Sequence, residues 1–223
     1  MNSIMDVDAA AVAVDCEGVR LGRFGRICLV QLALCDGRLF VFDALKPGLV
    51  EALAPLLESR TVPKVMHDCR EDSAAFYHQH GVLLQSVFDT QVVQTIFDMH
   101  AGRELHQASL AELLLKKLSV AEPSSLSHMK EAMVHDAALW AKRPLTSTMV
   151  HYALYGVSKL LSLRTVLLEE LSVLGHIPVA DAAHACNRAL EYRNLNNNFP
   201  TAASMAKIGT RLWAYVAAHT RRG

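Results

Sequence analysis

The chain has no surplus of charge of either sign: 22 Lys and Arg stand against 22 Asp and Glu in 223 residues, and charged side chains make up only 20% of the total. A protein that grips nucleic acid by bulk electrostatics needs excess Lys and Arg to release counterions from phosphates. Any nucleic-acid role must therefore rest on a local site. Prolines number only seven and hydrophobic residues reach 52%, which excludes a disordered or collagen-like chain. The five cysteines, Cys16, Cys28, Cys35, Cys69 and Cys186, are odd in number and never spaced C-x-x-C. Most sit inside apolar runs, so they read as buried thiols of a reducing compartment. No window of about 18 uncharged apolar residues exists, and acids stand in "MNSIMDVDAA" where a secretory leader needs Lys or Arg. The expectation is an intracellular protein of cytoplasm or nucleus, with the mitochondrion also open, and with no membrane partner. A chain of this length buries about 70% of its unfolded surface and needs no metal or disulfide staple to fold. Its entry into a strand almost at once suggests a piece of something longer.

"AAVAVD", "ICLVQLALC" and "RLFVFDAL" are short apolar runs joined by brief connections, one of them the Asp36-Gly37 turn, and they predict an antiparallel meander. "GLVEALAPLLESR" sets Leu49, Leu53, Leu56 and Leu57 on one helical face, and "VPKVMHD" supplies a fourth strand. That crossover should be parallel and right-handed. A fifth strand is expected near Gln85 to Phe88, followed by a helix capped by Asp89 or Thr90. Every later periodic segment is helical, including "LTSTMVHYALYGVSKLLSLRTVLLEELSVLG", treated as one continuous helix. The fold class is thus α/β: a five-stranded mixed sheet with helices packed over it and a helical C-terminal half. Residues 1–175 form the domain. Residues 176–223 form a helical extension in which Met205, Ile208, Leu212 and Tyr215 make a modest amphipathic stripe. It either packs on the domain or serves an oligomer or protein partner.

Asp15 and Glu17 end the first strand on the same face, because side chains at i and i+2 of a strand point together. Two adjacent carboxylates raise one another's pKa unless a cation lies between them, so a D-x-E at a strand end suits Mg²⁺ or Mn²⁺. A solvated acidic turn has the same spelling. In "KVMHDCREDSAAFY", strand four delivers His67, and Asp72 begins a helix, where it is either a ligand or a first-turn acid favoured by the helix dipole. His67 is either part of a site or a buried structural histidine. In "LWAKRPLTSTMVHYALYGVSKLL", Arg143 precedes a Pro-Leu loop, and Tyr152 and Gly156 lie four apart on one helical face. Arg20, Arg23 and Arg26 in the first hairpin can meet phosphates or simply be solvated. His78 and His80 do not share a helix face and lack flanking cysteines, which argues against zinc.

In order and spacing, "VAVDCEGV", "KVMHDCRED", "VFDTQVV" and "LWAKRPLTSTMVHYALYGV" resemble the motifs of the DEDD superfamily of 3′–5′ exonucleases. Within it the chain is similar to the RNase D-like, tyrosine-bearing branch, and especially to Egalitarian-like exonuclease-domain proteins, which share the HDCR-x-D and W-x-x-RPL wording. The resemblance covers about Val12 to Glu170 and leaves the tail uncovered. It implies a ribonuclease H-like sheet with helices on both faces. It also implies hydrolysis by two divalent ions about 4 Å apart. It places metal carboxylates at Asp15, Glu17 and Asp72 and the water-orienting tyrosine at Tyr152; Arg20, Arg23, His67 and Arg143 are the expected nucleic-acid contacts.

The fourth carboxylate should stand at 156, where this chain has glycine. Glycine inside a helix costs roughly 1 kcal/mol against alanine and supplies no ligand. Glu169 and Glu170 lie 13 and 14 residues beyond it, about 20 Å along an unbroken helix, and Asp136 lies across the Arg-Pro-Leu loop. The expectation is a degenerate exonuclease, a pseudo-enzyme with Mg or Mn weakly bound or absent. It would act as an RNA-binding or scaffold subunit of an RNA-processing assembly, with single-stranded RNA and a protein partner or a second copy as its contacts. The rival expectation is an active Mg- or Mn-dependent 3′–5′ exoribonuclease using Asp15, Glu17, Asp72 and Tyr152.

Overall fold

A computed structural model describes residues 10–174 and, beyond them, Ala182, Ala185, Cys186, Asn187 and Leu190. Three antiparallel strands come first: β1 (Val12–Val19), β2 (Arg26–Leu34) and β3 (Leu39–Asp43). Helix α1 (Leu49–Leu57) carries the chain across to β4 (Lys64–Met66), and α2 (Arg70–His80) leads to β5 (Val87–Asp89). The sheet order is β3-β2-β1-β4-β5, with β1, β4 and β5 parallel to one another. The expected mixed sheet is therefore present, with strand five shifted about two residues along.

Helices α3 (Thr90–His100), α4 (Leu110–Leu118), α5 (Ser125–His135), α6 (Ser147–Ser158) and α7 (Leu160–Val173) follow, with a 3₁₀ turn at Leu139–Ala141. The segment read as one helix is two: the chain bends at Lys159, whose φ of −115° leaves the helical range. Strand parity distributes the core. Ala13, Ala33, Val65 and Phe88 pack under α3, α4 and α7, whereas Val14, Cys16, Val30 and Met66 face α1 and α2. Every residue of β2 from Ile27 to Ala33 is buried, as expected of a strand covered on both faces.

Ala182, Ala185 and Cys186 join the core beneath α3 and α7, and the Cys186 thiol accepts a 3.4 Å hydrogen bond from the Asp89 amide. The stripe of Met205, Ile208, Leu212 and Tyr215 lies outside the described residues.

Candidate active-site cleft

Asp89 shows how local chemistry shapes the site. Its carboxylate caps α3, accepting from the amides of Gln91 at 2.9 Å and Val92 at 3.4 Å. It also accepts from the amides of Asp68 and Cys69, both at 3.0 Å. Four donors on one buried carboxylate fix the turn between β4 and α2, in which Asp68 adopts a left-handed φ of 53°. That turn sets the first residues of α2 against the end of β1. Asp72 is the third residue of α2 rather than its first.

The cleft itself measures about 240 Å³ and is lined by Asp15, Glu17, His67, Tyr152, Tyr155 and Gly156, with Glu122 and Lys130 closing it from the α5 side. It is smaller than the roughly 300–1,000 Å³ of a site that engulfs a small molecule, and so suits one end of an extended ligand. Burial pushes Asp15 up to about 7, with the Cys16 amide opposing the shift. Glu17 is raised well above the usual carboxylate range by burial first, then by repulsion from Asp15 and Asp72. Asp72 is raised by burial and by Asp15, and the Cys16 thiol that donates to it pulls the other way. Tyr152 packs its ring 5.9 Å from that of Trp140. Burial and the charges of Glu17, Asp15 and Glu122 hold its phenol protonated, so it is an O–H donor at neutral pH.

The structure sets Asp15, Glu17 and Tyr152 in the cleft wall and Asp72 behind them, near enough for its carboxylate to repel those of Asp15 and Glu17. Asp72 bonds the Cys16 thiol, which belongs to the opposite parity of β1, and its Oδ1 is buried without a partner. Among the described residues no three His, Cys, Asp or Glu side chains converge as a metal centre requires. Gly156 accounts for part of this. A Cβ built there would lie 2.5 Å from Asp15 Oδ2, so the Asp15 carboxylate occupies the space that a side chain at 156 would enter. Asp15, Glu17 and Asp72 lie close enough to repel one another, and position 156 adds no fourth carboxylate to them.

Two of the expected nucleic-acid contacts are committed elsewhere. Arg143 donates to the carbonyls of Trp140 at 3.0 Å, Lys142 at 2.7 Å and Cys28 at 3.0 Å, and pairs with Asp43; it ties the loop before α6 to the sheet. His67 is buried, with Nδ1 2.8 Å from the Thr90 hydroxyl and Nε2 3.1 Å from the Ala108 carbonyl. Both ring nitrogens are engaged within the protein, and burial lowers the ring's pKa, so it is a neutral brace in the cleft wall. Arg20 and Arg23 stand on the β1–β2 hairpin, outside the cleft.

Two of the three acids considered as replacements are also occupied. Asp136 pairs with Lys142 at 2.5 Å, and Glu170 pairs with Lys117. The acid that does line the cleft is Glu122, paired with Lys130 at 2.7 Å. It sits in the loop before α5, where an acid ordinarily reads as a helix-start residue, and no local pattern marks it. Tyr155 and Lys130 were missed for the same reason: their approach to Asp15 is a product of helix packing.

A mixed sheet carrying paired acids at the end of its first strand, faced by a tyrosine from a packed helix, defines a nuclease-type α/β domain. The chain belongs to the 3′–5′ exonuclease family, whose sequence profile matches residues 2–172. It is similar to the piRNA biogenesis protein EXD1 of Mus musculus, at 33% identity over 171 residues, 73% of this chain and 30% of the mouse protein. Its fold is similar to that of Trypanosoma brucei RNase D solved in complex with RNA U12, at 25% identity and a TM-score of 0.72, covering 91% of this chain and 70% of that one. It is similar also to Brucella melitensis NrnC with bound Mg²⁺, at 26% identity and a TM-score of 0.66, covering 88% and 89%. The chain spans only about a third of the length of the curated relatives it matches first. The family generally uses Mg²⁺ or Mn²⁺. Among the described residues no helix is long and apolar enough to cross a membrane.

Proposed function

We propose that this chain is an exonuclease-fold subunit of an RNA-processing assembly that binds the end of a single-stranded RNA and does not cleave it efficiently. One observation carries the reading: at position 156 the chain offers no carboxylate, and Asp15 turns its own carboxylate into that space. The likeness to a piRNA biogenesis protein and to an RNA-bound RNase D supports the RNA part of the reading. The zero net charge supports a partner chain that adds affinity, because the domain has no surplus of cations of its own.

In this reading the residues of the chain bind rather than catalyse. Asp15, Glu17 and Asp72 remain as the acids that would hold a divalent ion, which would supply positive charge for a phosphate. Tyr152, held protonated against Trp140, donates a hydrogen bond into the cleft. His67 shapes the wall, and Arg143 positions the loop before α6.

The rival reading, an active exoribonuclease, draws on Glu122, the one further acid in the cleft wall. Its ion pair with Lys130 counts against it, since a ligand that already neutralises a lysine must give up that pair first. The test is to incubate end-labelled single-stranded RNA and Mn²⁺ with the natural protein, with Gly156→Asp and with Glu122→Gln. Cleavage by Gly156→Asp alone supports the proposal. Cleavage by the natural protein that Glu122→Gln abolishes sinks it.

A further inference from the structure

The tip of the β1–β2 hairpin, residues 20–25, displays an aromatic ring to solvent at a place where the chain takes trouble to hold it. Phe24 is 74% exposed. Arg23 lays its guanidinium 5.2 Å from the ring centroid, and Arg20 and Arg26 flank the pair. From residue 18 to residue 26 the segment carries three arginines and no acid. None of the three arginines forms an ion pair among the described residues.

The tip is rigidly mounted. Gln79 of α2 grips it from below: its Nε2 donates to the Gly22 carbonyl at 2.6 Å, and its Oε1 accepts from the Ile27 amide at 2.9 Å. Gly22, at φ 126°, lies so close to Glu71 that a Cβ would fall 2.2 Å from its Oε2, and a Cβ at Gly25 would fall 1.7 Å from the Arg20 carbonyl oxygen. A solvated hairpin needs neither this clamp nor an exposed phenyl ring. A recognition surface gains from both, because a platform already fixed loses little entropy on binding. The location is equally specific: β1 places Glu17 in the cleft and ends two residues on, about 7 Å away, where Arg20 begins the tip.

We propose that this tip is a stacking platform for single-stranded RNA emerging from the cleft, one base resting on the face of Phe24 opposite Arg23 while Arg20 and Arg26 contact flanking phosphates. Bases stack on aromatic side chains without regard to sequence, and arginine adds a cation–π contribution on the ring's other face. The inference rests on the RNA-binding reading above and specifies where the strand runs. Three guanidiniums without an ion pair among the described residues, beside a single ring, match a polyanion of stacked bases better than an apolar protein surface.

The experiment is fluorescence anisotropy in EDTA with a labelled single-stranded RNA dodecamer and, in parallel, a strand of equal length that is abasic throughout. The proteins are the natural chain, Phe24→Ala, Phe24→Trp and Arg20→Ala, with thermal melts to show that these exposed substitutions leave folding intact. Phe24→Ala should weaken binding of the intact strand about tenfold, Phe24→Trp should keep it, and the abasic strand should not distinguish them. Arg20→Ala should lower the salt dependence of binding by about one counterion. If the natural protein binds RNA and Phe24→Ala binds it equally well, the platform is wrong while the RNA reading stands, and Phe24 falls to a protein partner. Equal weakening on intact and abasic strands also overturns stacking. If the natural protein binds no RNA, the underlying reading fails and takes the platform with it.

Discussion

Replacing Gly156 by aspartate should make the protein less stable until a divalent ion is supplied. The helix itself gains a few tenths of a kcal/mol, since aspartate is only slightly better than glycine in a helix interior. Against that, a Cβ at 156 falls 2.5 Å from Asp15 Oδ2, so Asp15 must swing aside and the new carboxylate stands within about 4 Å of it. Two like charges at that distance and an effective dielectric near 20 repel by about 4 kcal/mol. Asp15, lifted to about 7, is roughly half protonated at neutral pH, which leaves a net loss of about 2 kcal/mol. For a domain of this size that lowers the melting temperature by about 4–8 °C in EDTA. Mn²⁺ at a hundred times its dissociation constant restores about 2.7 kcal/mol. Differential scanning fluorimetry in EDTA and in Mn²⁺ reads both effects. Gly156→Ala is the control, adding a side chain without charge. The reasoning is refuted if Gly156→Asp melts with the natural protein in EDTA and Mn²⁺ shifts both by the same amount.

The pH dependence has a definite sign. Asp15 has its folded pKa raised from 3.8 to about 7, so the folded state holds a proton that the unfolded state releases, and this group lowers stability as pH rises through that window. Asp15→Asn should therefore stabilise the protein by about 1–2 kcal/mol at pH 5 and by up to about 4 kcal/mol at pH 8, read by urea unfolding in EDTA. An unchanged gap across that range contradicts it. Arg143→Ala should cost about 2–3 kcal/mol by orphaning the Cys28 and Trp140 carbonyls and the Asp43 carboxylate, while leaving RNA affinity unchanged in a filter assay. Asp89→Ala should cost about 3 kcal/mol in chemical denaturation, since four backbone donors lose one buried acceptor.

Apolar runs and turn signals made the sheet legible. Apolar runs joined by short turns, a helical crossover and a second short strand leave little choice but a mixed sheet, and the cap before α3 was narrowed to Asp89 or Thr90, of which the structure uses Asp89. The paired acids were legible for the same reason, because i and i+2 on a strand share a face whatever packs around them. Contacts between distant segments were not. Arg143 and His67 have side chains suited to phosphates, yet the first spends its donors on the sheet and the second its ring nitrogens on Thr90 and Ala108. Glu122 and Lys130 reach the cleft only because α5 packs across α6. Asp72 carries the right spacing but faces Cys16, a partner that strand parity sets on the other side of β1. The bend at Lys159 went unseen because neither Gly nor Pro announces it.

The most direct test of the central claim is a nuclease assay on 3′-end single-stranded RNA under excess enzyme, with Mn²⁺, comparing the natural protein with Asp15→Ala. The account predicts the same intact RNA in both lanes, with the natural protein bound to it. Stepwise shortening from the 3′ end by the natural protein, lost in Asp15→Ala, contradicts it.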